Sequence, residues 1–564
     1  MFADERLIGR IEKETLMNWS THEVSNVVPE LSEYNLYTTD IALQEAVRRA
    51  GAQAHESELT GYGALLGSAQ TLRMAEDANH FKPELQTFDR QGRRLDRVDF
   101  HPAWHGLMKM LREHNLVSQP FSDARPGAWA AYAAGFSMHG QIEAGSQCPN
   151  SMTFASIPVL QQEPALFEQL APKLYSRTYD ARDIAWEQKE SMLIGMGMTE
   201  KQGGSDVRAN RTSAVPIRGE GRGADYEIVG HKWFMSAPMC DAHLVTARTE
   251  NGLSCFFVPR YRPDGSKNAV HIQRLKEKIG NRSNSSSEVE FHNAWGRMVG
   301  DEGRGIPTII EMASHTRLNC VMGSAGTIRQ AVVQAIHYAR ERHAFGKRLA
   351  EQPLMRNVLA DMALESEAAT QLMMRLTQAF AQADRDPLEH AYKRIVTPAA
   401  KFWVAKRSIE LSAEAMEVFG GNGYMDESPM GRLYREAPVI SIWEGSGNVM
   451  ALDMLRAISR DPEAMGALID DLRHVCADDA RLRPHVDALA GMPGSDGTAL
   501  EAGARREAQR LVLLVQARLL REYAPAYVAD AFVASRFEAQ WGRVFGTLPE
   551  HDQHAMLVER AWPV

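Results

Sequence analysis

The feature that most constrains the fold of this 564-residue chain is a long block of strand-like sequence between two helical regions. From Met192 to about Gly300, apolar residues fall in short alternating or β-rich runs such as YEIVGHKWFM, HLVTART, LSCFFVPR, VHIQRL and SSSEVEF. On either side they recur at spacings of three and four, as in IALQEAVRRAG and IRQAVVQAIHYARERHAFG. This order predicts an α+β protein with separate helical and β domains.

The changes of pattern also predict domain boundaries, since a chain of this length exceeds what one hydrophobic core usually supports. We expect an N-terminal extension over residues 1–30, a helical domain over 31–190, a β domain over 191–300, a helical bundle over 301–455 and a further helical domain over 456–564. Four-helix packing is the natural way to bury the apolar faces of the long helices after Gly305.

Composition narrows the class of protein. Apolar residues make up 44%, charged residues 24%, and the net charge is −9, as expected for a soluble globular protein that does not coat nucleic acid or membrane by bulk charge. No apolar run approaches the ~18 residues needed to span a bilayer. Five cysteines occur without a CxxC pair or zinc spacing. We therefore expect free thiols, no metal site and a cytoplasmic location.

One carboxylate lies in a turn where it could take part in catalysis. Residues 441–450, SIWEGSGNVM, place Glu444 behind Trp443 and ahead of a Gly-Ser-Gly turn that leads into a helix starting near Asn448. Bound substrate can desolvate such a carboxylate and raise its basicity toward that needed to take a proton from carbon. In isolation, these ten residues favour the simpler explanation that Glu444 is a solvated loop acid or a helix cap.

A second candidate segment is GMGMTEKQGGSDV, residues 195–207, which lies where the helical region meets the β block. It combines Thr199 and Ser205 with a run of small residues, and Gly203 and Gly204 would let a ligand approach the main chain closely. It lacks GxGxxG and no helix follows directly, which disfavours a dinucleotide-binding βαβ unit. A flexible loop without a ligand is the alternative.

Several motifs together resemble the acyl-CoA dehydrogenase family. MTEKQGGSDV, GHKWFMS, KIGNRSNSSSEVEF, GDEGRGI, YARERHAFGKRL with QPLMRNVLADM, AMEVFGGNGY and WEGSGN occur in that family's order and rough spacing. MGMTEKQGGSDV, GLSCFFVPR, TPAAKF, LYREAPV and the additional tail are similar in particular to the branch that acts in the response to alkylating agents. MNWSTHEV, from Met17, resembles the start of that branch, so residues 1–16 would be an extension.

The resemblance implies an FAD cofactor held by an acyl-CoA dehydrogenase fold with an extra C-terminal helical domain. Carried over residue by residue, it assigns these residues to the cofactor site: Met196, Met198, Thr199, Gly204, Ser205, Phe234, Met235, Ser236, Arg342, Phe345, Gly421, Trp443, Ser446 and Asn448. Arg342, Phe345 and Gly421 match positions that reach the FAD of a neighbouring subunit, which implies a homotetramer. Two residues depart from the family pattern: Glu417 stands where Gln is common, and Ala344 where Thr is frequent.

The resemblance also makes Glu444 the catalytic base. In the family's reaction a carboxylate removes the α-proton of an acyl-CoA while the β-hydrogen leaves as hydride to the flavin. Some relatives carry this base near HTRLN, where this chain has Thr316 beside Arg317 and thus no competing acid. Trp443 replaces a common Tyr, and its larger ring would narrow the cavity unless it only packs in the core.

Relatives in the alkylation-response branch bind double-stranded DNA, and this implies a partner for the tail. Residues 456–564 carry 13 Arg, no Lys and 16 Asp plus Glu, so their net charge of −3 does not favour the transfer. Six arginines are nevertheless candidates: Arg456, Arg460, Arg506, Arg510, Arg518 and Arg521. The last four share one arc of a predicted helix, which also suits an ordinary solvated face.

The sequence thus favours an FAD-dependent, acyl-CoA dehydrogenase-like protein of the adaptive response to DNA alkylation. It would bind double-stranded DNA and keep weak activity on short or branched acyl-CoA. The alternatives are a metabolic acyl-CoA dehydrogenase without DNA binding and a flavin-bearing scaffold without turnover.

Overall fold

The computed structural model of the chain describes residues 21–492, 497–538, 544–548 and 553–564. The predicted extension over residues 1–30 falls largely outside these ranges, as does the resemblance that begins at Met17.

The first region is a layer of helices with one hairpin. Its helices are α1 Ile41–Arg49, α2 Glu56–Leu66, α3 Ala69–His80, α4 Pro102–Glu113, α5 Gln119–Ser122, α6 Ala128–Ile142, α7 Gln147–Leu160 and α8 Pro164–Leu174. The antiparallel hairpin of β1 (Glu84–Phe88) and β2 (Arg94–Asp99) is not predicted by the helical pattern. Tertiary contacts stabilise it, because Asp96 accepts a hydrogen bond from the backbone N–H of Ile272 at 3.0 Å.

The second region is a closed β structure. Its strands are β3 Ile194–Gly197, β4 Ser213–Arg218, β5 Asp225–Met235, β6 Ala242–Thr249, β7 Gly252–Pro259, β8 Val270–Leu275 and β9 Ser287–Val299. The ring β6–β4–β5–β9–β7 closes through the β6–β7 pairing, with β3 added beside β6 and β8 beside β9. Alternate side chains such as Tyr226, Ile228 and Phe256 fill the interior, as the period of two requires.

The third region is a helical bundle built on one long helix. Its elements are α9 Gly305–Glu341, the short hairpin β10 His343–Ala344 and β11 Lys347–Arg348, α10 Pro353–Gln382, α11 Pro387–Ala391, α12 Thr397–Val418, α13 Pro429–Ile440 and α14 Gly447–Arg460. Helix α9 packs against α10 and α12 of the bundle and against α6 and α7 of the first region. It therefore joins the two helical layers.

The remaining described residues add helices to this bundle: α15 Pro462–Cys476, α16 Arg483–Ala490, α17 Gly497–Tyr523, α18 Ala526–Phe537 and α19 His554–Ala561. Helix α17 packs on α10, α12 and α14, and α19 packs on α10. In the described ranges, no helix has the length and apolar character to cross a membrane. The predicted fold class, helical and β domains with additional C-terminal helices, is confirmed.

Candidate active site

Glu444 lies in the turn between α13 and α14 and takes a left-handed backbone conformation, with φ of 57°. A left-handed conformation is uncommon for a residue with a Cβ, so its neighbours must hold it there. The Thr316 hydroxyl on α9 donates a hydrogen bond of 2.6 Å to Glu444 Oε2. The side chain at the alternative position for the base therefore contacts this carboxylate directly.

The environment of Glu444 favours its protonated form more than water does. Burial raises the pKa of this carboxyl above its ordinary value, while the Thr316 hydrogen bond and the positive charges of Arg317 and Lys401 partly oppose that shift. A carboxylate with a raised pKa is a stronger base once it is ionised.

The loop after β3 is held in place by a buried ion pair. Lys232 and Glu200 are both fully buried, with Nζ 2.9 Å from Oε1. Burial alone would raise the pKa of Glu200, but the charge of Lys232 and backbone donors bring it to about 2. The backbone N–H of Trp233 also donates to the carbonyl oxygen of Thr199 at 2.8 Å. The ends of β3 and β5 therefore lie side by side.

The residues at the end of β5 face alternate sides. Phe234 is half exposed, and the Ser236 Oγ lies 3.4 Å from the Ser286 Oγ. Met235 instead points into the barrel core and is fully buried. Tyr226 and Ile228 also point inward, so Met235 joins them only because the β5–β9 register shifts between Lys232 and Met235. The assignment of Met235 to the cofactor site stays a prediction.

A thiol that no sequence motif assigns to the site lies near both the end of β5 and the 441–450 turn. Cys148, near the start of α7, has Ser236 and Asn284 as hydrogen-bonding neighbours and lies close to the charges of Glu444 and Lys278. Burial raises the pKa of this thiol to about 11, so it stays protonated at neutral pH. No spacing in the sequence links these positions, which lie on separate elements.

Trp443 has one face in the bundle interior. Its ring packs against the small cluster formed by Cys320, Ala405 and Ile440. Core packing thus accounts for one face of the Trp443 ring. Trp443 also directly precedes Glu444 in the chain.

Three predicted cofactor residues, Arg342, Phe345 and Gly421, lie near the C-terminal end of α9. Arg342 precedes the β10–β11 hairpin, whose Phe345 is 98% exposed with φ of 53°. Gly421 follows α12 in exposed backbone, and in the same segment Asn422 donates a hydrogen bond to the Tyr338 hydroxyl at 3.1 Å. The structure therefore brings the hairpin and the Gly421 segment to one exposed end of the bundle.

Three family models match consecutive parts of the chain. Residues 26–181 match the adaptive response protein AidB N-terminal domain, residues 195–294 the acyl-CoA dehydrogenase middle domain and residues 303–459 the acyl-CoA dehydrogenase C-terminal domain. The chain is also 51% identical over 450 residues to the putative acyl-CoA dehydrogenase AidB of Escherichia coli (strain K12), which covers 79% of this chain and 82% of that protein. The chain belongs to the AidB branch of the acyl-CoA dehydrogenase family.

A further relative and a solved structure are also similar to this AidB-branch chain. It is 28% identical over 451 residues to acyl-CoA dehydrogenase family member 11 of Caenorhabditis elegans, covering 76% of this chain and 71% of that one. The crystal structure of C. elegans ACDH-11 in complex with C11-CoA superposes with a TM-score of 0.81 at 24% identity, over 96% of this chain and 93% of that chain. At that identity the superposition speaks for the fold, and it includes most of the C-terminal helices.

As a member of the acyl-CoA dehydrogenase family, the chain is a flavoprotein oxidoreductase with FAD as its cofactor. The residues present suit that group. Thr199, Ser205, Ser236 and Ser446 offer hydroxyls, Phe234 offers a half-exposed ring, and Arg342 offers a guanidinium for phosphate. A Cβ on Gly204 would lie 2.6 Å from the Thr199 hydroxyl oxygen, so this position accepts no larger residue without a shift. Ser446 precedes α14 without capping it through its side chain, which leaves its hydroxyl available.

The arginines proposed for DNA contact in this AidB-branch chain do not form one solvated stripe. Arg518 is buried and bound to Asp471 at 2.8 Å, and Arg521 binds Asp479 at 2.9 Å. Arg506 and Arg510 both bind Glu507. The predicted arc fails because residues 511–520 of α17 are buried on every side, so the helix has no solvated face there. Arg456 and Arg460, on α14, are exposed.

Proposed function

We propose that this flavoprotein acts on acyl-CoA thioesters with Glu444 as the base that takes the α-proton. The observation that carries the proposal is the geometry of the 441–450 turn: a single carboxylate, held in a left-handed conformation, with its pKa raised by burial. Its hydrogen bond from Thr316 fixes the direction of the carboxylate.

Each residue of the site has a distinct part in this chemistry. FAD, when bound, supplies the acceptor for the β-hydride. Ionised Glu444 takes the α-proton at Oε1 or Oε2, and the Thr316 hydroxyl stabilises the carboxylate before that transfer. The β3 loop and the end of β5, locked together by the Trp233–Thr199 hydrogen bond, form the wall that orients the cofactor.

The preferred substrates are short or branched acyl-CoA thioesters, and turnover is weak. Trp443 supports this part of the proposal because it brings a large indole beside Glu444, backed by the packed residues Cys320 and Ile440. A bulky, supported ring leaves less depth for a long acyl chain.

The test is anaerobic reduction of the bound flavin by a panel of acyl-CoAs, measured as the loss of flavin absorbance. Isobutyryl-CoA and butyryl-CoA are expected to bleach the flavin faster than palmitoyl-CoA. Glu444→Gln should lower the rate by about 100-fold or more while FAD stays bound. Glu427→Gln, which changes an exposed acid shortly before α13, should leave it unchanged. Absence of bleaching with every thioester would favour the scaffold without turnover.

Each cofactor site is completed by a second copy of the chain within a homotetramer. The nearly complete exposure of Phe345, together with the exposed Gly421, supports this proposal, because large apolar side chains are seldom left in water without a partner. Phe345→Ser should weaken both assembly and FAD retention, measured together by sedimentation velocity at two wavelengths. A tetramer with full flavin content would contradict it.

A role in the response to DNA alkylation, with binding to double-stranded DNA, is the second part of the proposal. Arg456 and Arg460 support it, since both are exposed and neither makes an ion pair with any residue in the described ranges. They lie one turn apart on α14, which suits contact with successive phosphates.

Fluorescence anisotropy with a DNA duplex tests this second part. Affinity should fall steeply as salt rises, and Arg456→Gln with Arg460→Gln should reduce the salt slope by about two. Arg506→Gln, a change to an exposed arginine paired with Glu507, is the control. No binding at low salt would leave the metabolic dehydrogenase as the better account.

A further inference from the structure

Two cations bind the three consecutive carbonyl oxygens around the catalytic turn. The Lys401 ammonium, on α12, donates to the Trp443 oxygen at 2.7 Å and to the Gly445 oxygen at 2.6 Å. The Arg317 guanidinium, on α9, donates through Nε to the Glu444 oxygen at 3.2 Å. These bonds hold the turn from two sides and explain how Glu444 keeps a positive φ.

The two cations differ in how their charge is balanced. Arg317 also binds Asp453 at 2.9 Å, and Asp453 has a second guanidinium partner in Arg394, so Arg317 belongs to a paired network. Lys401 is 1% exposed, and it donates hydrogen bonds to two carbonyl oxygens. Among the described residues it makes no ion pair within 4.0 Å, and Glu444 is the carboxylate whose charge acts on it.

Charged and titratable side chains from four helices lie around the turn. The charged and titratable side chains around Glu444 are Arg317 and Cys320 on α9, Lys401 and Lys406 on α12, Asp453 on α14 and Cys148 on α7. Both cysteines are held protonated by burial, which raises the pKa of Cys320 to about 12 and that of Cys148 to about 11. Of these groups, Lys401 is the cation that donates to the carbonyl oxygens on both sides of Glu444 and makes no ion pair within 4.0 Å among the described residues.

We infer that Lys401 is a positioning residue for the proposed base: it fixes the backbone on both sides of Glu444 and keeps the carboxylate ionised. The inference rests on the proposed function, because it assumes that Glu444 takes the proton. Burial disfavours the charged form of Lys401 as well, and the nearby negative groups oppose that effect. The buried lysine and the partly buried glutamate therefore stabilise each other's charge.

Two effects of Lys401 can be separated by substitution. Lys401→Gln keeps a donor for the carbonyl oxygens but removes the charge, whereas Lys401→Met removes both. Without the charge, the pKa of Glu444 rises, since the cation lowers it in the intact protein. A carboxyl with a higher pKa is ionised only at higher pH, so the acid limb of the rate profile moves upward in pH.

The experiment measures flavin reduction by isobutyryl-CoA in the FAD-loaded protein, by anaerobic stopped flow across a pH series. Both variants should show the acid limb at higher pH, by more than about 0.3 unit, which is roughly twofold in rate on that limb. Lys401→Gln should recover its rate at high pH, and Lys401→Met should stay several-fold slower there. Flavin content and thermal unfolding check that each variant is folded.

Lys109→Met is the control, since Lys109 is an exposed lysine on α4, outside the bundle, with its Nζ 3.6 Å from Glu113. Its profile should match the parent. An acid limb that stays in place in Lys401→Gln would overturn the inference, even if the rate falls. Failure of the proposed function has a different signature: Glu444→Gln would then reduce its flavin as fast as the parent.

Discussion

At the scale of single residues, the behaviour of Glu444 depends on two opposing influences. Burial raises the pKa of its carboxyl, and the Thr316 hydroxyl lowers it by donating to the ionised form. A protonated carboxyl cannot accept the α-proton, so flavin reduction should fall as pH decreases through this raised pKa.

Thr316→Val should move that acid limb to higher pH, because the valine cannot donate to the carboxylate. The variant preserves the shape of the side chain, so any change reports the lost hydrogen bond. Stopped-flow rates of flavin reduction against pH provide the measurement. Thr308→Val on the same helix is the control, since the Thr308 hydroxyl donates to a backbone carbonyl oxygen at an exposed site. An unchanged limb in Thr316→Val would contradict the account.

Some residues of the site could be predicted from sequence and others could not. WEGSGN identifies Glu444 as a candidate because the acid stands alone in a glycine-rich turn. Lys401 and Cys148 carry no such signal, since each reaches the site only through packing between distant elements. The inward direction of Met235 could not be predicted from alternation, because Tyr226 and Ile228 also point inward and the register shifts between Lys232 and Met235.

At the scale of elements, the N-terminal segment holds the β10–β11 hairpin. Asn26 donates from Nδ2 to the His343 oxygen at 2.9 Å and accepts from the His343 N–H at 2.8 Å, and its own carbonyl oxygen binds the Arg342 guanidinium. One side chain thus pairs with both backbone groups of the residue that follows Arg342.

Asn26→Ala should loosen this hairpin and increase the dissociation rate of FAD several-fold, because Arg342 and Phe345 are proposed to contact the cofactor of a neighbouring copy. Dilution of the FAD-loaded protein into flavin-free buffer, followed by ultrafiltration at successive times and absorbance of the retained flavin, measures that rate. Val27→Ala, a change to an exposed neighbour, should have no effect. Equal release from Asn26→Ala and the parent would show that the segment does not support the hairpin.

The strands of the β domain were largely predictable, whereas the β1–β2 hairpin was not. YEIVGHKWFM and its neighbours show β-branched and aromatic alternation, and these runs fall on β5 to β9. Residues 84–99 are rich in charge, and their hairpin is stabilised by long-range bonds such as that from Arg94 to the Ile272 carbonyl oxygen at 2.9 Å. Such long-range hydrogen bonds cannot be predicted from the local sequence.

At the scale of the whole molecule, the C-terminal helices are bound to the bundle by buried charge. Arg536 on α18 is fully buried and lies 2.8 Å from Asp361 and 3.2 Å from Glu365, both on α10. Arg407 on α12 binds Glu365 as well, at 3.3 Å. The added helices are therefore part of the same packed body as the bundle.

Arg536→Met should destabilise the protein by about 3–5 kcal/mol, because it leaves two carboxylates buried with one fewer cation. Urea unfolding followed by tryptophan fluorescence gives the change. Arg506→Met, at an exposed site on α17, should change stability by less than about 0.5 kcal/mol. Similar midpoints for the two variants would mean that α18 is not anchored by this cluster.

The most direct test of Glu444 as the base follows the proton itself. Incubation of the flavin-loaded protein with isobutyryl-CoA in D2O, under anaerobic conditions, should exchange the α-hydrogen for deuterium, as measured by NMR of the recovered thioester. Exchange is expected with the parent protein, and none above background with Glu444→Gln. Exchange by Glu444→Gln at the parent rate would contradict the assignment of Glu444 as the base.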